Sequence, residues 1–210
     1  MNKLKTLALA TCLSFVASVA SAEVRMGVSV HAMMLDSTGS ETLRTSGNVT
    51  STSLDETAIV PSVFIETMNS DGLGVGIDYV PVAELGSGSS TNKVDAETNG
   101  ENKASAELAS HATLYVIAQH ENGIFVKAGM AFADVETTES LSTGDTYGDA
   151  TTEGLMAGIG MSRDLDNGMF VRGELSYVDY DDISITSTGG STVKADVDST
   201  NVTFSIGKSF

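Results

Sequence analysis

Eight segments of about ten residues alternate between apolar and polar side chains, and the connections between them alternate between short and long. The segments cover 24–33, 59–68, 73–82, 107–119, 124–133, 155–163, 169–178 and 201–210. A period of two puts successive side chains on opposite faces of a β-strand. Strands two and three, four and five, and six and seven are joined by Asn69-Ser70-Asp71-Gly72, His120-Glu121-Asn122-Gly123 and Asp164-Leu165-Asp166-Asn167-Gly168. Each turn ends in Asp-Gly or Asn-Gly, the pair that tolerates the positive φ of a tight hairpin. The remaining connections, 35–57, 84–104, 134–153 and 179–198, are long. A soluble sandwich gives loop length no reason to sort by side, whereas a transmembrane barrel has short periplasmic turns and longer external loops.

The chain has 210 residues, compatible with one domain behind a leader. Residues 1–22 read as a cleaved secretory signal: Lys3 and Lys5 supply its charge, Leu7 to Val19 its apolar stretch, and Ala20-Ser21-Ala22 a small-residue cleavage site. The mature domain is then 23–210. Its leader would take away Cys12, the single cysteine, so no disulfide is expected despite export. Beyond Glu23 no run approaches the roughly 20 apolar residues of a membrane helix. A membrane protein made from this chain must therefore close its sheet, because lipid leaves no water to satisfy a free edge. The formal net charge of −17 speaks against nucleic acid or other polyanions, which need clustered Lys and Arg.

Parity separates two faces. One carries Val28, Val30, Val63, Ile65, Ile77, Val126, Phe132, Ile159, Val171, Leu175, Phe204 and Ile206, and is uncharged until Arg163 and Lys208 near the turn side. The other is rich in Gly and Ser and carries Arg25, Glu66, Asp78, Glu107, Lys127, Arg172 and Glu174. Glycine weakens strands but suits the inside of a narrow barrel, where space is short. Buried charges of both signs must pair. The expectation is a lumen network in which Arg25, Lys127 and Arg172 are shared among Glu66, Asp78 and Glu174. Asn122-Gly123-Ile124-Phe125-Val126-Lys127 and Asn167-Gly168-Met169-Phe170-Val171-Arg172 nearly repeat, which puts Lys127 and Arg172 at matching places in their hairpins. Pro61 and Pro81 cannot donate to a ladder, so the hairpin that holds both should fray or bulge at its outer end. Tyr79, Tyr177 and Tyr180 would mark the outer membrane interface.

The last segment, Asn201 to Phe210, places Val202, Phe204, Ile206 and Phe210 on one face. It resembles the C-terminal strand of bacterial outer-membrane β-barrel proteins, in which a terminal Phe after alternating apolar residues is the signal read by the barrel-insertion machinery. Lys208 departs from that pattern, which usually has an aromatic or apolar residue third from the end. With its strands and turns, the chain resembles the eight-stranded OmpA/OmpX-like superfamily, which includes opacity-type surface proteins. The resemblance implies an all-β fold, an eight-stranded antiparallel transmembrane β-barrel, in the outer membrane of a Gram-negative bacterium. It implies outer-membrane lipids and lipopolysaccharide, the barrel-assembly machinery and surface ligands of the loops as partners. Its known roles are structural support, adhesion and minor conductance; fold alone does not choose among them. No peptidoglycan-binding domain is expected after Phe210.

Three kinds of chemistry are open to such a chain. The long connections are acidic and rich in Ser, Thr and Gly, which predicts mobile segments rather than a folded lid. Asp179, Asp181 and Asp182 could attract divalent cations, but their spacing fits no cation-loop pattern, so no metal or cofactor is expected. A lipid-modifying enzyme would need a histidine with a Ser or carboxylate partner near the outer leaflet. His31 and His111 point inward by parity, while His120 belongs to a turn. No compact catalytic motif accompanies them, and the favoured reading is a non-enzymatic surface barrel. A small gated channel is the first alternative and a lipid A-modifying enzyme the second.

Overall fold

The computed structural model describes residues 22–43, 46–92 and 100–210; the leader, apart from Ala22, lies outside them. Ten strands form one antiparallel ring. They are β1 (Glu23–Thr42), β2 (Val49–Met68), β3 (Leu73–Val80), β4 (Ala83–Asn92), β5 (Gly100–Gln119), β6 (Ile124–Ser140), β7 (Ala150–Asp164), β8 (Met169–Tyr180), β9 (Ile183–Thr186) and β10 (Thr192–Ser209). β3 and β4 are one wall interrupted at Pro81-Val82, and both pair with β5. β8 and β9 are likewise one wall interrupted at Asp181-Asp182, and both pair with β10. Eight walls therefore make the barrel. It closes along β1 and β10, from Arg25 opposite Ser209 to Thr42 opposite Thr192. Val24 and Phe210 complete that seam by exchanging backbone hydrogen bonds at 2.9 and 3.3 Å.

The three tight turns follow from their residues. Gly72, Gly123, Asn167 and Gly168 all have φ between 62° and 89°, the left-handed region that Gly and Asn reach at least cost. In the first turn the Asn69 side chain accepts from the backbone N–H groups of Asp71 and Leu73.

The long connections differ from expectation. Much of 35–57 is strand, since β1 and β2 stay in one unbroken register up to Thr42 opposite Val49. β6 likewise runs on to Ser140, and β10 begins at Thr192. Ser and Thr sustain a ladder through their backbones without any apolar alternation, so pattern reading stopped where hydrophobicity stopped. Glu107 also departs from its expected inward place. Ala109 is an extra residue in β5 between Leu108 and Ser110, and such a bulge reverses parity. Glu107 is accordingly exposed, while Leu108 and His111 are buried.

The two faces sort as parity requires. Val28, Val30, Val63, Ile65, Ile77, Val126, Ile159, Leu175, Phe204 and Ile206 are exposed to the surroundings. Met130 shares their parity yet is buried, and it stands apart from the inner cluster. Inside, glycine is a matter of room. A Cβ on Gly76 would lie 2.6 Å from Tyr115 Cζ and 2.7 Å from Glu66 Cβ. Gly76→Val is therefore expected to push Tyr115 off Glu66 and cost at least about 1–3 kcal/mol, read as a lower urea midpoint of the detergent-folded protein.

The prolines lie where the hairpin opens. The β2–β3 ladder runs from Met68 opposite Gly74 to Val63 opposite Tyr79 and ends there. Two residues further on, in the same register, Pro61 would face Pro81.

Candidate functional site

The inner face of the barrel carries its polar chemistry in tiers. Near the periplasmic end Arg25 on β1 donates to Gln119 Oε1 at 3.3 Å and lies 3.5 Å from the Glu23 carboxylate. Above it Arg172 on β8 grips Glu66 on β2 with two hydrogen bonds, Nη1 to Oε2 at 3.0 Å and Nη2 to Oε1 at 2.6 Å. Tyr115 on β5 donates to the same carboxylate at 2.8 Å. Three aromatic rings surround this pair, with the Arg172 guanidinium carbon 5.0 Å from the centre of Phe125, 5.2 Å from Phe170 and 5.7 Å from Phe64. Their faces are negative, so they favour the cation while excluding water. Lys127 on β6 pairs with Glu174 on β8 at 2.7 Å and sits 4.3 Å above the Tyr115 ring.

Of the residues expected to share charge, Arg172 meets Glu66 and Lys127 meets Glu174 as two separate pairs, and two others sit elsewhere. Arg25 turns to Glu23 and Gln119. Asp78 has no Lys or Arg within ion-pair distance among the described residues; it accepts from Ser62 Oγ at 2.9 Å and lies 3.5 Å from His31 Nε2. Register accounts for both changes. Arg25 stands opposite Ser209, one residue from the barrel's lower rim, while Asp78 stands opposite Phe64 and Thr113, higher in the wall.

His31 is the middle of a hydrogen-bond chain that sequence pattern could not reveal. Its Nε2 is 2.8 Å from Ser62 Oγ and its Nδ1 is 2.8 Å from Thr203 Oγ1. Because Ser62 gives its proton to Asp78, His31 must donate from Nε2, and in the neutral ring Nδ1 accepts from Thr203. A Ser–His–Asp set for acyl transfer places the imidazole between hydroxyl and carboxylate. Here the Ser62 hydroxyl lies between the imidazole and the carboxylate, so His31 cannot draw a proton from Ser62. His111, buried on β5, meets Tyr180 Oη at 3.0 Å through Nε2, while its Nδ1 has no partner among the described residues. A chamber of about 50 Å³ lies beside Asp78, His111, Thr113 and Lys127, room for roughly three or four waters. Above it Met33, Val60, Val80, Leu108, Met156 and Val178 form an apolar cap.

The outer surface of the wall changes character along one register row. On β1 the outward side chains are Met26, Val28, Val30, Ala32 and Met34, then Asp36, Thr38 and Ser40. Asp36 stands between Asp55 of β2 and Asp198 of β10, and Asp198 stands opposite Asp179 of β8. Tyr177, one outward position below Asp179, stands opposite Thr200, two residues from Asp198. All four strands turn acidic at the same row; directly below it stand Thr57, Met34, Thr200 and Tyr177, and one step lower Ile59, Ala32, Val202 and Leu175. Under a tilt of 35–45° that row climbs about 3 Å per strand. Apolar below and charged above, it marks the upper limit of the lipid-facing belt. Val202, Phe204 and Ile206 belong to that belt on β10, with Phe210 exposed at its lower end.

The sequence matches the family described as outer membrane protein beta-barrel domain over residues 6–210. No curated protein matches it. Among solved structures, OprG from Pseudomonas aeruginosa is similar to this chain with 14% identity and a TM-score of 0.59, over 90% of this chain and 96% of that protein. Ail from Yersinia pestis shares 12% identity at a TM-score of 0.49, over 90% of this chain and 99% of its own. Neisserial surface protein A shares 12% at 0.44, over 88% and 97%. At such identities a likeness bears on fold alone, and OprG carries it. The apolar belt, the closed ring and the family match over nearly the whole chain agree: this chain belongs to the outer membrane protein beta-barrel domain family, whose place is the outer membrane of Gram-negative bacteria.

Proposed function

We propose that the protein is a non-enzymatic surface barrel that supports the outer membrane and presents an acidic, hydroxyl-rich outer sheet to its surroundings. The observation that carries this reading is the double closure of the lumen. The Glu66–Arg172 and Lys127–Glu174 pairs fill its lower half, and the apolar cap fills its upper half. The chamber they leave beside His31 and His111 holds about 50 Å³, room for a few waters and less than a lipid substrate needs. Export through a cleaved leader at 1–22 belongs to the same reading. So does recognition of Val202, Phe204, Ile206 and Phe210 by the assembly machinery.

The test is electrical. Purified protein in planar bilayers is expected to give no conductance steps, and neutralising Lys127 to Met should leave it silent because the cap still stands. Regular steps from the unmodified protein would overturn the proposal in favour of a small gated channel. That second reading draws on the chamber of about 50 Å³ between the two layers, which a shift of either would widen. An altered lipid A profile on deletion, restored by the unmodified chain but not by a His31→Ala His111→Ala variant, would point instead to a lipid-modifying enzyme.

A further inference from the structure

The outer part of β2 has one hydrogen-bonded neighbour where a barrel strand ordinarily has two. Its ladder with β3 ends at Val63 opposite Tyr79, and among the described residues Val49 to Ser62 pair with β1 alone. β4, which continues the wall of β3, pairs with β5 and not with β2. One edge of β2 is therefore open. The groups it presents follow from the far side of β1, where Val24 and Phe210 exchange both backbone hydrogen bonds. Bonding partners alternate along an antiparallel strand. Through the unbroken registers of β10, β1 and β2, the even residues of β1 bond to β10 and its odd residues to the even residues of β2. The odd residues of β2 then turn their N–H and C=O groups to the open edge. Pro61 is one of them, at a place where its missing N–H takes no bond from β1.

Above the aspartate row this edge runs from Val49 to Asp55, roughly 20 Å of strand. Every side chain in that stretch is exposed, on both faces of the sheet. A bare edge of this kind is a template for an added strand. Neither an acyl chain nor a sugar offers amide donors and carbonyl acceptors at strand spacing, whereas a polypeptide does. Charge narrows the choice of polypeptide. Asp55 and Glu56 lie at the lower end of the edge, Asp36 stands beside Asp55 on β1, Glu84 is on β4, and neither β2 nor β4 contains Lys or Arg. A second copy would bring Asp55 and Glu56 against their own kind, and like charges set opposite each other destabilise a strand pair. Lys or Arg on the incoming strand would instead be attracted, and Leu54, exposed on the other face, offers a cross-strand contact to an apolar side chain.

We propose that the edge of β2 from Val49 to Asp55 takes up an extended basic segment of another protein as an added β-strand. Such a partner presupposes the surface-barrel reading above and gives its outer sheet a ligand class.

The isotope-labelled mature chain in phospholipid nanodiscs is titrated with a blocked peptide of alternating Lys and Thr, about as long as the edge. At saturation the amides of Ser51, Ser53 and Asp55 are expected to gain about tenfold or more in protection from hydrogen exchange, while those of Thr50, Thr52 and Leu54, already bonded to β1, change little. Ser51→Pro combined with Ser53→Pro removes two edge donors without altering the β1 ladder or any charge, and should weaken binding about tenfold or more. The same peptide N-methylated at every residue should fail to bind the unmodified chain, a control that does not depend on how the proline variant folds. A peptide with Glu in place of Lys should fail as well. Binding that survives N-methylation, or protection spread evenly over odd and even amides, would overturn the added strand. Equal binding of the Glu peptide would overturn the basic partner. Protection of the odd amides before any peptide is added, rising with protein concentration, would give the edge to a second copy. Conductance steps from the unmodified protein would sink the closed-lumen reading while leaving the alternating protection in place, so the two failures are told apart.

Discussion

Glu66→Gln is expected to be among the most destabilising single substitutions in the barrel, at about 3–5 kcal/mol. Glu66 and Arg172 are almost fully enclosed, with side-chain exposures of 0% and 1%. The variant keeps the volume but removes the charge, leaving the guanidinium of Arg172 among Phe64, Phe125 and Phe170 with no counter-ion in contact. The one remaining amide oxygen cannot serve Tyr115 and both Arg172 nitrogens, so part of the hydrogen bonding is lost as well. Replacing both partners, Glu66→Leu with Arg172→Met, should return most of that loss, because neither charge then needs to be desolvated. The chain has no Trp, so unfolding is best followed by far-UV circular dichroism or by the mobility shift of folded barrel on gels, in detergent with urea. Equal loss in the single and double variants would mean that the ion pair itself stabilises the barrel, and not merely that an orphaned charge harms it.

That pair also shows where sequence reading stopped. Parity on β1, β2 and β10 was legible because their ladders run without an extra residue, and Val28, Val30, Val63, Ile65, Phe204 and Ile206 face outward as their parity requires. The inner charges except Glu107 were legible from the same alternation on their own strands. Their partners were not. Glu66 and Arg172 are 106 positions apart in sequence and meet across the lumen, so their contact depends on barrel diameter, stagger and side-chain reach together. His31, Ser62 and Asp78 belong to three adjacent strands, where the stagger between β2 and β3 decides which inward residues become neighbours. The hydroxyl-rich extension above the membrane gave no apolar rhythm and read as loop. Ala109 reversed the face of Glu107 with no mark in composition.

The sharpest consequence of the outward pattern is a step in tolerance to charge along one strand. Val30 lies near the middle of the outward run from Met26 to Met34, and Thr38 lies two outward positions beyond its end. Val30→Lys is expected to cost about 2–4 kcal/mol, whereas Thr38→Lys should cost at most about 1 kcal/mol. The difference arises because an ammonium at the centre of the hydrocarbon must thin the bilayer or bend back to the headgroups, while at Thr38 it meets water and Asp196. A lysine at Met34 can snorkel past Asp36 and should fall between the two. The same step should appear on β10, large at Phe204 and small at Asp196, since both strands cross the aspartate row in one register. Reversible unfolding from lipid vesicles measures each variant. Equal penalties at Val30 and Thr38 would displace the membrane boundary from the row of Asp55, Asp36, Asp198 and Asp179.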